Sequence, residues 1–511
     1  MFNRFHPMAG FRGGLSMVLA LVWSVAPGVA DDAVELRKRL LAGKYPDVAD
    51  VAGAAEKTEP EVEDWPLLHI EALMAVGKYP EARDVVSSAL ERFPNSMRLR
   101  MAGYDVFRAN GDTERAQTLK EEMDRLGGQR EWAYREPADR VALGKAAILL
   151  GADPKRVLDL FLDPVKKANP DFPDTYLASG ELALAKNDFA LAAKTFTEAA
   201  KKFPEHPGAH FGIARAFAPS DSEATQSRLE KTLELNPNHV GALLLLADEA
   251  IDSENYSEAG KRIGEALAIN PRNPEAHGYR AVLAHLRGDD RSEAESRAAA
   301  LKSWPMNPAV PHLMGRKLSQ HYRFAEGADL QRQALKFDPG FVPAKIQLAQ
   351  DLLRLGRDEE GWQLADEVQK ADPYDVVAFN LVELRDTIAN FKLLKSEHFD
   401  VRMEPREAEL YGTDVLALLE RAHATLTKKY GIPLRERTVV EIFPDQKDFA
   451  IRTFGLPGGA GYLGVCFGRV ITANSPASRP GSPSNWQAVL WHEFTHVITL
   501  TLTKNKMPRW L

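Results

Sequence analysis

Cysteine is nearly absent from this sequence, because Cys466 is the only one among 511 residues. No intrachain disulfide can therefore form. The neighbours of this cysteine, "GYLGVCFGRV", are apolar and strand-like. That setting predicts a small buried side chain and argues against a nucleophilic thiol.

A bias of charge toward one sign is also missing. The chain carries 65 basic and 72 acidic side chains, a formal net charge of −7, and both signs are spread along it. No basic stretch stands out, which argues against nucleic acid as a partner. A hydrophobic fraction of 44% is typical of a globular chain with several domains or one long array.

Long hydrophobic runs are lacking as well. The apolar run "LSMVLALVWSVA" (15–26) has twelve residues, too few to span a bilayer core of ~30 Å at ~1.5 Å per residue. Gly28 and Ala30 occupy the small positions of a secretory cleavage site before Asp31. This pattern predicts a signal peptide over residues 1–30, no integral membrane span in the mature chain, and export to the periplasm or cell envelope. An uncleaved N-terminal anchor is the alternative.

The sequence does contain an internal repeat. "GKYPDVADV" begins at Gly43, "GKYPEARDV" begins at Gly77, and Gly111 follows another 34 residues along. A proline that ends the second of two short helices in each unit explains the later pattern. After an irregular stretch near 125–140, these prolines recur every 33 or 34 residues: Pro170, Pro204, Pro237, Pro271, Pro305, Pro339 and Pro373.

Small residues inside each unit allow its two helices to approach closely. The unit that ends at Pro204 has Gly180, Ala192 and Ala199 at small positions and Phe196 at a large one. These residues resemble the tetratricopeptide (TPR) repeat in period, in small positions and in terminal proline. The resemblance implies a right-handed superhelix of antiparallel helix pairs, with a concave groove that binds peptides or other proteins.

The resemblance covers roughly residues 33–393, with about three units before the irregular stretch and about seven after it. We assign residues 31–128 to N-terminal TPR-like helical repeats and residues 129–393 to a TPR solenoid. One unit departs from the pattern, because the unit ending at Pro305 has Glu293 where a small residue is expected. This departure leaves the local register open.

The pattern changes after the array. Residues 375–394 read as a closing amphipathic helix, and an α+β unit begins near residue 394. A sheet built from its strands lacks covering helices. The predicted elements are a strand at 397–404, a helix at 406–431, a strand at 437–444, a helix at 445–455 capped by Asp445, one strand within 465–476, and a helix at 484–503 opened by Ser484 or Asn485.

The last of these helices contains "VLWHEFTHVITL" (489–500). His492 and His496 are one helical turn apart, so both imidazoles project from one face at chelating distance. Glu493 lies close enough to accept a proton from a zinc-bound water as that water attacks a carbonyl. The large apolar neighbours predict a buried helix and a dry site. A chance match on a core helix is the alternative.

Residues 397–511 resemble the peptidase-MA-like domain of gluzincin metallopeptidases, which often follows TPR arrays in exported bacterial proteins. The resemblance is carried by "EIFPDQKDFAIRTFG", "GVCFGRVITANSP", "NWQAVLWHEFTHVITL" and "MPRWL". It implies that His492 and His496 bind one Zn²⁺ ion and that Glu493 is the catalytic base.

The same resemblance implies where a substrate binds and what the site lacks. The strand at 469–475 would pair with an extended peptide, and Asn474 would hold the substrate backbone unless it is only a turn residue. In these enzymes a glutamate shortly after "PRW" supplies the third zinc ligand, whereas this sequence stops at Leu511. We therefore expect a zinc site that only a residue beyond Leu511 completes. Nothing in the spacing of His398 and His423 suggests that they reach the metal.

The expected fold is mostly α: a TPR α-solenoid followed by a partial α+β zincin-like domain at residues 394–511. The expected function is that of an exported zinc metallopeptidase whose TPR array binds protein partners or substrates. The alternative is a non-catalytic TPR scaffold of the cell envelope with a remnant metallopeptidase segment. A third hypothesis makes the C-terminal domain a zinc-dependent folding or docking module.

Overall fold

The structure is a computed structural model that describes residues 27–479, 481 and 484–507. The predicted signal peptide, residues 1–30, lies outside these ranges except for Pro27–Ala30, which form the first turn of the first helix. Within the described ranges, no helix combines the length and the apolar character needed to cross a bilayer.

The chain before the first strand is a succession of short helices joined by tight turns. A π-helical turn at Leu158–Leu162 connects α8 to α9. The helices are α1 (Pro27–Leu41), α2 (Tyr45–Thr58), α3 (Asp64–Ala75), α4 (Tyr79–Arg92), α5 (Met97–Ala109), α6 (Thr113–Arg130), α7 (Pro137–Leu149), α8 (Pro154–Val157), α9 (Asp163–Ala168), α10 (Pro173–Ala185), α11 (Phe189–Lys202), α12 (Pro207–Phe217), α13 (Ser222–Leu235), α14 (Val240–Asp252), α15 (Tyr256–Ile269), α16 (Pro274–Arg287), α17 (Asp290–Ala300), α18 (Ala309–Gln320), α19 (Phe324–Phe337), α20 (Val342–Arg354), α21 (Asp358–Ala371) and α22 (Val376–Ile388).

The recurring prolines end helices, as predicted. Six of the seven follow the last residue of a helix by two positions, and Pro305 follows Ala300 by five. The irregular stretch near 125–140 also contains helices, because α6 runs to Arg130 and α7 begins at Pro137. Helix α7 pairs with the segment α8–α9, so helical pairs continue through the break that the sequence pattern suggested.

Phe196 shows why the repeats need small residues. Its side chain is fully buried together with Ala192 and Ala199. Gly180 on α10 and Gly212 on α12 lie against its ring, so closely that a Cβ atom on Gly212 would be 2.2 Å from the ring. The two neighbouring helices therefore pack on one aromatic ring only because each carries glycine at the contact.

We expect Gly212→Ala to lower the free energy of unfolding by about 1–3 kcal/mol, because the added methyl group overlaps a buried ring that has no free space. Urea denaturation followed by circular dichroism measures the effect. Gly260→Ala is the matched control, since a Cβ atom there meets nothing within 4 Å. That control should be neutral or stabilising by up to ~1 kcal/mol, and equal destabilisation of both variants would contradict the packing account.

Glu293 is accommodated by an ion-pair network. Its carboxylate is 2.8 Å from Nδ1 of His285, whose Nε2 is 2.7 Å from Glu326, and it also pairs with Arg297 at 3.4 Å. Hydrogen bonding to Glu326, and then to Glu293, raises the pKa of His285 above its usual value. The larger side chain thus replaces a small residue without breaking the register of the repeat.

A buried carboxyl group lies in the last complete helical pairs. Asp351 on α20 is fully buried, and burial raises its pKa to about 7 despite the nearby Arg354. Its Oδ2 is 2.8 Å from the hydroxyl of Ser319, which is also 2.9 Å from the carbonyl oxygen of Gly315. One hydroxyl proton cannot serve both acceptors fully, so a protonated Asp351 that donates to Ser319 satisfies all three groups.

We expect the contribution of Asp351 to stability to fall as pH rises from 5 to 8, because between its two pKa values this carboxyl is protonated in the native state and ionised in the unfolded chain. Linkage puts this loss at about 2.6 kcal/mol. Asp351→Asn should remove this contribution, so wild type should lose that much free energy of unfolding relative to the variant. The amide can still donate to Ser319 and accept from Gln347. Urea denaturation at both pH values tests this. Asp329→Asn, in an exposed ion pair with Arg332, should keep the wild-type slope, and a slope in Asp351→Asn equal to that of wild type would contradict the assignment.

The C-terminal region forms one five-stranded sheet with three helices. The strand order is β1-β2-β3-β5-β4; β2, β3 and β5 are parallel, whereas the outer strands β1 and β4 pair antiparallel with β2 and β5. The elements are β1 (Lys392–Lys395), β2 (Phe399–Met403), α23 (Pro405–Tyr430), β3 (Thr438–Phe443), α24 (Gln446–Phe454), β4 (Gly464–Cys466), β5 (Val470–Asn474) and α25 (Trp486–Thr503).

Most of these elements match the prediction, and two do not. The closing helix was expected to run through residue 394, but α22 ends at Ile388 and the chain then forms β1. The single strand expected within 465–476 is a hairpin, because Gly468 has a φ of +100° and turns the chain between β4 and β5. Asp445 caps α24 as predicted, its carboxylate accepting a hydrogen bond from the amide of Lys447.

Both faces of the sheet are covered, so the expectation of missing helices was wrong. One face packs against α23 and α25. The other face packs against α24 and against helices of the last repeats, α20, α21 and α22. All six residues of β3 are buried, which is typical of a strand covered on both sides. The repeats supply the layer that the C-terminal sequence lacks.

Contacts between Cα atoms divide the chain into two compact units. The second unit consists of Ala183–Phe189, Leu243–Ala268 and the residues from Arg272 to the end of the described chain. It therefore combines the later repeats with the whole sheet. An account of the C-terminal region has to include the repeat helices that pack on it.

Candidate functional site

Helix α25 carries the two histidines predicted to bind metal. Asn485 begins it by accepting a hydrogen bond from the amide of Ala488, so the second of the two predicted caps is correct. Leu490, Phe494, Val497 and Ile498 are buried on its sheet-facing side. Helical periodicity then places His492 and His496 together on another side.

The two imidazoles approach each other closely. Nε2 of His492 and Nε2 of His496 are 3.0 Å apart, and the rings are nearly perpendicular, at 89°. Two nitrogens that share a tetrahedral zinc ion lie roughly 3.3 Å apart, given Zn–N bonds of ~2.0 Å. Burial, and then the neighbouring His492, hold the pKa of His496 below its usual value, so this ring offers a lone pair at neutral pH. The pair fits two positions of a zinc site.

Glu493 lies beside the pair and is buried. Burial raises the pKa of its carboxyl to about 7. Gly464 on β4 makes room for it, because a Cβ atom there would be 2.9 Å from Oε1 of Glu493. A carboxyl group with a pKa near 7 is suited to accept and return a proton at neutral pH.

A cavity of about 250 Å³ brings these groups together. Sequence reasoning anticipated the three residues of α25 but not the opposite walls, which come from β4, from the loop before it and from the repeat array. Cys466 is buried, as predicted, and burial raises the pKa of its thiol. The lining residues are Tyr322, Tyr462, Gly464, Val465, Cys466, His492, Glu493, His496, Leu500 and Met507.

Tyr322 belongs to the turn between α18 and α19 and has a φ of +64°. The same turn position carries Gly288 one repeat earlier and Gly356 one repeat later, both also with positive φ. A bulky residue pays a conformational penalty in this left-handed region, and such outliers cluster at functional sites. A tyrosine where the repeat favours glycine is thus a sequence signal that could have identified this residue.

Asn474 is placed differently from the lining residues. It ends β5 and is buried, with its amide nitrogen donating to the carbonyl oxygen of Tyr462 at 3.0 Å. Strand β5 pairs with β3 on one side and β4 on the other. The expectation that the strand at 469–475 pairs with an extended peptide was therefore wrong, because that strand has no free edge. The sheet edge next to the cavity is β4.

The described residues provide two protein ligands at this site and not a third. No other histidine, cysteine or carboxylate in the described ranges has a ligand atom within 4.8 Å of both His492 and His496. Among the described residues, His398 and His423 form no three-ligand group with this pair. They meet each other and Glu420 elsewhere in the same unit.

Comparisons with known proteins identify the repeats. The sequence matches the tetratricopeptide repeat family over residues 177–231 and 244–308. The chain therefore contains tetratricopeptide repeats, as predicted, and it is mostly helical with a TPR-like α-solenoid. The matched family supports a role in protein interaction for the array. No curated protein matches the chain in sequence.

Several solved structures resemble the chain at low sequence identity. One chain of the crystal structure of the APC/C hetero-tetramer Cut9–Hcn1 is 15% identical to this chain. The match covers 70% of this chain and 69% of that chain, with a TM-score of 0.43. Yeast Tom70 is 15% identical, with 70% and 88% covered and a TM-score of 0.35. A tetratricopeptide repeat protein from Parabacteroides merdae is 16% identical, with 50% and 99% covered and a TM-score of 0.35.

Proposed function

We propose that this chain is an exported zinc metallopeptidase in which a tetratricopeptide array forms part of the peptidase cavity. The observation that carries the proposal is the 3.0 Å approach of the His492 and His496 Nε2 atoms, next to a buried Glu493. His492 and His496 would hold the zinc ion, and the gluzincin resemblance implies a glutamate as a third ligand outside the described residues.

In this proposal, the groups around the cavity have separate roles in peptide hydrolysis. Zinc, when bound, supplies an acidified water and polarises the substrate carbonyl. Glu493 accepts the proton of the attacking water and later returns it to the departing amine, for which a pKa of about 7 is well matched. Edge strand β4 lies beside Glu493, so an extended peptide can pair with it while its scissile bond reaches the carboxylate.

The repeat array has two roles in this proposal. It binds protein partners or substrates, which is the usual use of such helical grooves. It also supplies Tyr322 to the cavity wall, so the later repeats and the reacting groups belong to one compact unit. We place the enzyme in the periplasm or cell envelope on the basis of the signal-peptide pattern at residues 1–30.

Hydrolysis of an unstructured protein by the zinc-loaded, full-length gene product tests the proposal, with cleavage sites read by mass spectrometry. We expect cleavage that stops on chelation and returns with zinc. The His492→Ala/His496→Ala variant should be inactive at every zinc concentration. Cleavage that survives in this double variant would come from another source, and an inactive wild type that binds zinc would favour a scaffold with a zinc-dependent docking module.

We expect Tyr322→Gly to lower kcat/KM at least tenfold, because the cavity loses one wall, while stability changes by less than ~1 kcal/mol. Relief of the left-handed backbone, worth roughly 1–2 kcal/mol, offsets the lost ring contacts. Glu254→Gly is the matched control, since Glu254 occupies the same turn two repeats earlier with a φ of 57°. That variant should be as active as wild type. Equal activity of Tyr322→Gly would exclude Tyr322 from the site.

A further inference from the structure

A second cluster of metal-binding side chains lies away from the cavity. His398 precedes β2, and Glu420 and His423 are one helical turn apart on α23. Nδ1 of His398 is 2.7 Å from Oε2 of Glu420, and the backbone amide of His398 donates to Oε1 of the same carboxylate at 2.9 Å. The imidazoles of His398 and His423 stack with centroids 3.6 Å apart. One ligand atom from each residue lies within 4.8 Å of the other two.

In this cluster, one ring nitrogen of His423 is available to bind a metal ion. Nε2 of His423 is buried and has no hydrogen-bond partner among the described residues. Its ring packs against Phe399 and Phe494, which offer no polar atoms. A buried imidazole nitrogen without a hydrogen-bond partner is unfavourable, so this ring has a ligand position that the described residues do not fill.

The surroundings also allow an ion to enter. The side chains of His398 and Glu420 are 32% and 30% exposed, so hydrated ions reach them from solvent. Glu397 adds negative charge 3.8 Å from Nε2 of His398. Two imidazole nitrogens and a carboxylate oxygen suit Zn²⁺ and its neighbours Co²⁺ and Ni²⁺, with water in the remaining position.

We propose that His398, Glu420 and His423 form a second binding site for a divalent transition-metal ion, which fastens the start of β2 to α23. The ion takes the place of the proton in the hydrogen bond between His398 and Glu420, and the partly exposed His398 ring rotates out of its stack. This movement brings the ligand atoms to the ~3.3 Å separation of a tetrahedral zinc site. The site is independent of the His492–His496 pair and of any catalytic activity.

His285 shows why this cluster differs from other paired histidines. It also contacts two carboxylates, but Glu293 lies at Nδ1 and Glu326 at Nε2, on opposite edges of the ring. Those carboxylates cannot meet on one ion bound by that ring. His285→Ala is therefore a matched control that removes a carboxylate-paired histidine without removing a site.

The experiment uses the His492→Ala/His496→Ala protein, so that only the proposed site can bind strongly. Zinc is titrated into this protein, and bound metal is measured after dialysis by mass spectrometry of the elements. We expect one zinc per chain and a rise in melting temperature on zinc addition. Adding His398→Ala or His423→Ala should weaken zinc binding at least tenfold, whereas adding His285→Ala should not change it.

Two further measurements keep the result interpretable. Glu420→Gln preserves the shape of the carboxylate and serves where a histidine variant fails to fold, and it should also weaken binding at least tenfold. Cobalt in place of zinc should give an absorption spectrum of imidazole and carboxylate ligation that His423→Ala abolishes. Absence of zinc from the double variant, or binding unaffected by His423→Ala and Glu420→Gln, would overturn the proposal.

Discussion

Glu493→Gln should lower kcat for peptide hydrolysis by about 10²–10⁴-fold, which is the usual contribution of general acid–base catalysis. Zinc binding should be unchanged. The amide has nearly the shape of the carboxylate, so it fits the space that Gly464 leaves beside α25. It cannot accept a proton at neutral pH. A full-length protein with zinc retained and turnover lost would place the proton transfer on this residue.

The measurement needs a control that changes charge without reaching the cavity. Glu409→Gln removes an exposed carboxylate on α23, and we expect full activity from it. Zinc content is determined on the same samples, because loss of metal alone would also abolish turnover. Undiminished turnover in Glu493→Gln would assign the base to another group.

Glu441→Gln should destabilise the second unit by about 3–5 kcal/mol, because it leaves a buried guanidinium without a carboxylate partner. Glu441 lies in the middle of β3, and its Oε2 is 2.6 Å from Nε of Arg452, with both side chains fully buried. Arg402 also pairs with Glu441 at 2.8 Å and with Asp358 on α21 at 2.6 Å. This network joins strands β2 and β3 and helix α24 to α21 of the last repeats.

Urea denaturation, combined with hydrogen exchange of the β3 amides, measures this effect locally. Glu436→Gln is the control, since its ion pair with Arg469 is exposed and should contribute less than ~1 kcal/mol. The double variant Glu441→Leu/Arg452→Met should be less destabilised than Glu441→Gln, because neither charge is then buried alone. A change below ~1 kcal/mol in Glu441→Gln would show that the network carries little of the stability.

The repeat architecture could be predicted because its signals are local and periodic. The proline two residues after a helix and the glycine that packs against Phe196 affect only one or two neighbouring helices. The same kind of signal therefore recurs in each repeat unit. The same locality explains the errors. "FKLL" continues an apolar pattern and reads as helix, but its pairing with β2 makes it a strand. The hairpin turn at Gly468 divides a run that reads as one strand.

The site was predictable only where its residues share an element. His492, Glu493 and His496 lie on one helix, so spacing alone places them together. Tyr322 lies in a repeat turn 170 residues before His492 and lines the same cavity. Only the packing of the repeats on the sheet reveals that the two residues are close to each other. His398 and His423 likewise converge because β2 lies beside α23. Their sequence spacing carries no metal-site pattern, since one lies before a strand and the other within a helix.

Anomalous diffraction at the zinc edge, from crystals of the full-length gene product grown with zinc, tests the central claim most directly. We expect a peak between the Nε2 atoms of His492 and His496, with Glu493 close to it and outside the coordination sphere. A second peak at His398, Glu420 and His423 would mark the other proposed site. Absence of a peak between His492 and His496 in zinc-soaked crystals would contradict the metallopeptidase proposal.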